Sequence, residues 1–405
     1  MSLNGTPAAD RVHIGFFGIR NAGKSSLVNA LTGQEMSLVS PVAGTTTDPV
    51  RKTMELLPIG PVVVLDTPGL DDEGELGEKR VQRTEEMLNQ TDLAVLVRTD
   101  PKDYLPSEKA WIKRIAERGI PCLEVISKAD QLPVIPAAGD RMIPVSALTG
   151  YGIQTLKEAL GRLAHTEIKE KQIVTDLLAP GDSVVLVMPI DASAPKGRLI
   201  LPQVQTLREL LDGHYTATVC QPEEIPRVLE NSVSRPAMVI TDSQAFDTVS
   251  RNVPDSIPLT SFSILFARYR GNLEKLTVNA NRLAELRDGD RILISEGCTH
   301  HRQCQDIGTV KIPQWIERFS GRKPEYAFSS GGSFPEDLSG FRLIVHCGGC
   351  MINEREMQSR MLRAEAQGVP MVNYGIAIAF MHGILKRSLS PFPDIQRLLR
   401  TDDIS

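Results

Sequence analysis

The sequence predicts an α/β protein of three α/β domains, the first on a doubly wound, mostly parallel sheet and the other two on smaller parallel sheets. Three observations lead there. Short apolar runs alternate with segments of helical period, the pattern of parallel strands covered on both faces by crossover helices. At 405 residues the chain exceeds one ordinary core. Ala179-Pro180-Gly181, after a charged tail at 167–172, breaks the alternation as a linker would.

In the first domain, expected over 1–172, strands are predicted at 13–18, 62–66, 93–99 and 122–127, with helices at 24–32 and 107–118. The second, 173–268, repeats the alternation with strands at 183–188, 215–219 and 237–241. Helices fall at 203–212 and 223–231, followed by the segment 243–252, and no phosphate loop occurs among them. The third, 269–405, runs through a helical segment at 272–286, a strand at 290–295, a helix at 313–320, a strand at 341–346 and a helix at 354–367.

Composition narrows the function classes. Hydrophobic residues at 41% and charged residues at 23% describe an ordinary globular chain, so disorder is not expected. A net charge of -5 gives no general attraction for nucleic acid or an anionic membrane, and neither is expected as a partner. The polar N-terminus lacks the order of a secretory leader and the apolar stretch 375–385 is too short to span a bilayer, so a cytoplasmic location is expected. In a reducing compartment six cysteines read as metal ligands or reactive thiols before disulfides. Cys122, inside an apolar strand, reads as a small buried hydrophobe, and Cys220 also stands apart. Four lie between 298 and 350.

Gly18-Ile19-Arg20-Asn21-Ala22-Gly23-Lys24-Ser25 fits G-x-x-x-x-G-K-[ST] and sits after an apolar strand and before a helix, as a phosphate loop must. Its backbone N–H groups would wrap phosphates, Lys24 would add charge on the β and γ oxygens, and Ser25 would bind Mg2+. Asp66-Thr67-Pro68-Gly69 ends the next apolar strand, bringing a carboxylate to Mg2+ and the Gly69 N–H to the γ-phosphate; alone it would be a simple turn. Between them Gly44-Thr45-Thr46-Thr47-Asp48 supplies hydroxyls for a switch loop, Thr46 the one for Mg2+, against the plainer reading of a polar loop. In Ser127-Lys128-Ala129-Asp130 the Asp130 carboxylate can accept guanine N1–H and the exocyclic amine, a pairing adenine cannot offer. Ser146-Ala147-Leu148 is a further base-side loop, or only a polar turn.

Together these motifs identify a P-loop GTPase domain resembling the translation-factor-like GTPases, with Ser127 departing from their usual Asn-Lys-x-Asp. The nucleotide residues are then Gly18, Asn21, Ala22, Gly23, Lys24, Ser25, Ser26, Thr45, Thr46, Asp66, Gly69, Lys128, Asp130, Ser146 and Ala147, with Lys24, Asn21, Thr46, Asp66 and Gly69 closest to the chemistry. Leu70 stands where Ras-like enzymes carry a water-orienting Gln. Asn21, Gly-Thr-Thr-x-Asp and this apolar residue resemble the potassium-activated TrmE and Era group. By that resemblance Asn21 would hold K+ beside the phosphates, the plainer reading being a loop-structuring Asn.

Cys298-Thr299-His300 closes one predicted strand and His346-Cys347-Gly348-Gly349-Cys350 another, and strand ends of one parallel sheet meet at one edge. The residues leave three readings: a closed zinc site with His300 or His346 as fourth ligand, an iron-sulfur cluster with one iron lacking a cysteine, or a redox Cys-x-x-Cys pair. His301 and Cys304 read as surface residues of a polar loop.

A GTPase of this type joined to Cys-x-His, about 45 residues and His-Cys-x-x-Cys resembles the FeFe-hydrogenase maturation GTPases, the HydF family, over the whole chain. The resemblance implies a GTPase domain, a central dimerisation domain and a C-terminal domain whose 4Fe-4S cluster is held by Cys298, Cys347 and Cys350, with His300 and His346 accompanying them. It implies a homodimer that carries a transient diiron precursor bearing CO, CN− and a dithiolate. That precursor would be made with the radical-SAM maturases HydE and HydG and passed to apo-hydrogenase HydA. Its cofactors would be GTP, Mg2+, K+ and the cluster. The rival is a K+-dependent GTPase of tRNA modification or ribosome assembly with a structural metal site, disfavoured by the acidic chain.

Overall fold

A computed structural model describes residues 6–33, 50–67, 69, 75–167, 171–190, 199–298 and 306–399. It divides into two compact units, Met1–Glu170 and Lys171–Ser405. Thr45, Thr46, Thr47, Asp48, Pro68, Leu70, His300, His301 and Cys304 lie outside the described residues.

The first unit runs β1 (Val12–Phe17), α1 (Lys24–Thr32), β2 (Val50–Leu56), β3 (Gly60–Asp66), α2 (Glu75–Leu88), β4 (Leu93–Arg98), α3 (Pro106–Glu117), β5 (Cys122–Ile126), β6 (Met142–Pro144) and α4 (Ile153–Glu167). Its sheet order is β2-β3-β1-β4-β5-β6, parallel throughout except for the β2–β3 pairing. The β-branched and aromatic runs of β1, β3 and β4 are buried along nearly their whole length, because helices cover both faces. β1 stands between β3 and β4, so the loop after β1 opens where the chain's crossovers change side, the crevice in which doubly wound sheets bind ligands.

The antiparallel edge strand β2 departs from the expected pattern. Val-Arg-Lys-Thr-Met-Glu-Leu puts Arg51, Thr53 and Glu55 on one exposed face, as an edge strand does, and it lacks the long apolar run that marks a buried parallel strand. The helices α2 and α4 and the short β6 are likewise additions to the expected set.

The second unit contains β7 (Ser183–Val187), α5 (Leu201–Asp212), β8 (Thr216–Cys220), α6 (Ile225–Glu230), β9 (Met238–Thr241), α7 (Phe246–Asn252), β10 (Leu259–Ser261) and α8 (Phe262–Arg270). It continues through α9 (Leu273–Val278), β11 (Arg291–Glu296), α10 (Ile312–Ser320), β12 (Glu325–Ser330), β13 (Leu343–His346), α11 (Glu354–Ala366), β14 (Met371–Asn373) and α12 (Tyr374–Met381). Two parallel four-stranded sheets result, β10-β9-β7-β8 and β12-β11-β13-β14. One continuous core from Ile173 to Phe392 joins them, with α8 and α12 packed together. α8 runs through residue 268, where a domain boundary was expected; its start is fixed by the Ser261 hydroxyl accepting from the Ile264 N–H. The unit's first residues are held by Glu209, whose carboxylate accepts from the N–H groups of Ile173, Val174 and Thr175.

Among the described residues no helix is long and apolar enough to cross a membrane.

Candidate functional site

The loop from β1 to α1 has the backbone its glycines imply. Gly18 packs so close to β4 that a methyl group there would lie 2.4 Å from the Val97 carbonyl oxygen. Gly23 is left-handed at φ 89°, and so is Asn21 at φ 60°, a conformation asparagine tolerates better than most residues. That fits the loop-structuring role of Asn21, and its exposed side chain is still available to a ligand. Lys24 is buried, and its ammonium donates to the carbonyls of Gly18 (2.7 Å) and Ile19 (2.9 Å), which holds it inside the loop.

The two groups expected to meet at Mg2+ do meet. The Ser25 hydroxyl donates to the Asp66 carboxylate at 2.7 Å, and Asp66 is nearly inaccessible to solvent. Its position follows from register, since Phe16 on β1 pairs with Asp66 on β3, and Thr67 locks the turn by donating its hydroxyl to the Phe16 carbonyl at 2.6 Å. A carboxylate and a hydroxyl meeting at the start of α1 form a hard-oxygen pair of the kind that suits Mg2+.

The loop after β5, expected to read the base, is tied to the β1–α1 loop through the residue that departs from the usual motif. The Ser127 hydroxyl lies 2.5 Å from the Ala22 carbonyl and 3.0 Å from that of Arg98. The hydroxyl has one proton to give, and the shorter contact assigns it to Ala22, while the Arg98 carbonyl keeps the Ser127 N–H at 2.8 Å. Lys128 follows at φ 56°, its stem beside Gly23, and the Ala129 N–H donates to the Val145 carbonyl, linking this loop to Ser146 and Ala147. Asp130 is exposed, its carboxylate open to a base. Beneath them Arg98 is fully buried, paired with Glu124 at 2.8 Å and stacked on the Tyr104 ring at 3.5 Å.

The second cluster lies in the other unit. β11 and β13 are parallel neighbours, with Ser295 paired to His346, so Gly297-Cys298 and Cys347 leave the sheet side by side. The Gly297 N–H donates to the Cys347 sulfur at 3.1 Å and the Gly349 N–H reaches it at 3.4 Å. Gly349 is left-handed at φ 67°, a backbone conformation that favours glycine. Burial raises the Cys347 thiol above its ordinary pKa and pushes that of Cys350 up to about 12, aided by the nearby Cys347 and Cys298 sulfurs.

Among the described residues no three His, Cys, Asp or Glu side chains are arranged to hold a metal ion. The donor chemistry nonetheless fits an iron-sulfur cluster. Three soft sulfurs share one edge, backbone N–H groups point at sulfur, and the cost of burying thiolates is one a cationic metal centre would offset.

His346 serves another purpose. It is completely buried, with Nδ1 2.8 Å from the Cys347 carbonyl and Nε2 3.1 Å from the Arg360 guanidinium. Arginine can only donate, so Nε2 accepts and the proton sits on Nδ1. Burial, then the Arg360 charge, pushes its pKa down to about 3. Both ring nitrogens are used in bracing the cysteine loop, so His346 does not act as a ligand in this arrangement. Arg360 also pairs with Glu356 at 2.8 Å and donates to the Gly331 carbonyl. Arg360, Glu296 and Tyr374, which border the thiols, escape sequence reasoning because each comes from a stretch with no motif of its own.

The chain matches profiles of three known domains. Residues 13–128 match a 50S ribosome-binding GTPase domain, 173–271 the hydrogen maturase F dimerization domain, and 274–391 the hydrogen maturase F tetramerization domain. Among curated relatives, the tRNA modification GTPase MnmE of Ralstonia nicotianae is 40% identical over 166 residues, 38% of this chain and 35% of that protein. MnmE of Thermus thermophilus is 40% identical over 229 residues, 54% of this chain and 48% of that protein. The chain thus spans between a third and a half of the length of these relatives. Solved structures that resemble it include Aquifex aeolicus Era bound to GDP and aluminium fluoride, at 16% identity and TM-score 0.35 over 78% of this chain and 93% of that one. The G domain of the T. maritima FeoB iron transporter matches at 20% identity and TM-score 0.28, over 38% and 99%.

Proposed function

We propose, from the premise that this chain belongs to the hydrogen maturase F family, whose two domains match more than half of its residues, that it is a GTP-hydrolysing scaffold for a metal cluster. Its cargo is a diiron precursor with CO, CN− and dithiolate ligands, held on or beside a 4Fe-4S cluster and passed to apo FeFe-hydrogenase. The observation that carries this reading is the meeting of two cysteine stretches fifty residues apart, with the Gly297 N–H on the Cys347 sulfur. Cys298, Cys347 and Cys350 would hold the cluster, which supplies an iron lacking a cysteine ligand and so able to accept and release a donor group.

The chain's own residues do the rest. Gly18 to Ser26 cradle the phosphates, Ser25 and Asp66 with Thr46 hold Mg2+, and Asp130 selects guanine. Asn21 holds K+, whose charge assists where a Gln or arginine finger is missing. Slow hydrolysis, stimulated by K+, times the binding of HydE, HydG and apo-HydA to a homodimer in the cytoplasm. The three-domain division, with the cluster in the last, belongs to the same proposal.

Anaerobic purification with iron and sulfide analysis and EPR tests it. Wild type is expected to hold iron and sulfide, Cys347→Ser to lose most of both, and the loaded wild type alone to activate apo-hydrogenase. Zinc in place of iron, or activation by the Cys347→Ser protein, overturns it. GTP turnover is expected to be faster in K+ than in Na+, and an unchanged preference in Asn21→Ala removes the potassium assignment. The likeness to MnmE favours a second reading, a GTPase of tRNA modification, which retention of RNA at moderate salt would support.

A further inference from the structure

A groove of about 480 Å3 opens in the first unit at the turn of the β2–β3 hairpin. Leu31 of α1, Met54, Leu57 and Pro58 of the hairpin, and Gln154 and Lys157 of α4 line it. The turn is seated firmly on the helix behind it, since a methyl group on Gly161 of α4 would lie 2.4 Å from the Pro58 ring. Leu57, next to that anchored proline, is nonetheless 78% exposed, and Met54 is only partly buried. The groove therefore has a fixed frame and an apolar wall turned to water.

The start of the chain is fastened to that wall. Arg11 donates from Nε to the Thr6 carbonyl at 2.9 Å and from a terminal nitrogen to the Met54 carbonyl at 3.0 Å, and it pairs with Glu55 at 3.5 Å. One guanidinium thus clips Thr6, the first described residue, to the strand that lines the groove. The register agrees. Val12 pairs with Val62 and Val62 with Met54, so two strand spacings, about 10 Å, separate the start of β1 from Met54. Residues 1–5, Met-Ser-Leu-Asn-Gly, leave from Thr6 and span up to about 16–18 Å when extended, which is enough to reach the groove. They bring two apolar side chains, Met1 and Leu3, and no charged one, matching a wall of leucine, methionine and proline.

We propose that the groove between the β2–β3 hairpin, α1 and α4 is the docking site of the chain's own residues 1–5, with Leu3 against Met54 and Leu57, and that the docked segment pins the hairpin. A segment tethered this closely has an effective concentration in the millimolar range, so burial of one or two apolar side chains suffices to hold it. The same hairpin pairs Val50 with Asp66 at its other end, so what is pinned is the ribbon that carries the Asp66 carboxylate. The assignment is independent of the carrier reading above.

The test uses the full chain with p-benzoylphenylalanine in place of Leu3, irradiated and then digested for mass spectrometry. A cross-link within one chain to the stretch 54–58 or 154–158 is expected, and its yield is expected to fall severalfold in Leu57→Ser, a change at an exposed position that leaves the melting temperature in place. A product of doubled mass joined at those stretches assigns the groove to a second copy and overturns the proposal, as does the lack of any cross-link to them. Hydrogen exchange checks the pinning. Amides of 54–58 are expected to exchange severalfold faster in Leu3→Asp and in a chain lacking residues 2–5 than in wild type, with β5 unchanged as the internal reference. Equal exchange at 54–58 in all three proteins overturns the proposal.

Discussion

Replacing Ser127 by alanine removes one hydroxyl from the junction of the two nucleotide loops. The Arg98 carbonyl keeps the Ser127 N–H at 2.8 Å, but the Ala22 carbonyl loses the donor at 2.5 Å, and both residues are buried, so water does not readily replace it. A buried acceptor left unsatisfied costs about 1–3 kcal/mol. For a unit of this size each kcal/mol lowers the melting temperature by about 2–4 °C, which scanning fluorimetry resolves. On the proposed nucleotide site, which lies between the loops the hydroxyl joins, the ligand must then order them itself, and affinity falls by about tenfold for each 1.4 kcal/mol transferred. Titration with a fluorescent GDP is expected to show that loss, with the preference for guanine over adenine intact because Asp130 is untouched. Ser127→Asn, whose amide offers two donors, is expected to bind as tightly as wild type. Unchanged melting and unchanged affinity in Ser127→Ala would refute the reasoning.

Gly18→Ala is expected to weaken guanine nucleotide at least tenfold in the same titration, because its methyl would meet the Val97 carbonyl oxygen at 2.4 Å and a backbone oxygen in a central strand cannot yield; wild-type binding would show that the loop accommodates it. His346 sets an acid limit on the second unit. With its pKa held at about 3 when folded against 6.5 when unfolded, the unfolded chain takes up a proton first as pH falls, so this contribution is complete above about 6.5 and is lost toward 3. Each pH unit in that window costs up to about 1.4 kcal/mol, and urea unfolding of the metal-free protein at pH 7 and pH 5 measures it against His346→Gln, which should show a smaller difference.

The phosphate loop, the Asp66 turn and Asp130 are local signatures whose chemistry depends on residues adjacent in the chain, so the amino-acid order alone makes them legible. Parallel strand order is nearly so, since strands buried on both faces leave long apolar runs, and the cysteine stretches can be expected at one edge because parallel strands end together. The antiparallel strand β2 is not legible, as a half-exposed edge strand has a pattern too weak to separate from a loop. Nor is the role of His346: its motif position suggests a ligand, and only folding brings Arg360 from a helix of the same unit onto its second nitrogen. Ser127 reads as a defect in a motif, yet its hydroxyl lies on the carbonyl of Ala22, more than a hundred residues earlier. Sequence determined which groups are present and which local backbones they can adopt. Tertiary structure decided which of them touch, because hydrogen bonds and buried charges are satisfied by whatever packing brings within about 3 Å, and that distance has no relation to separation along the chain.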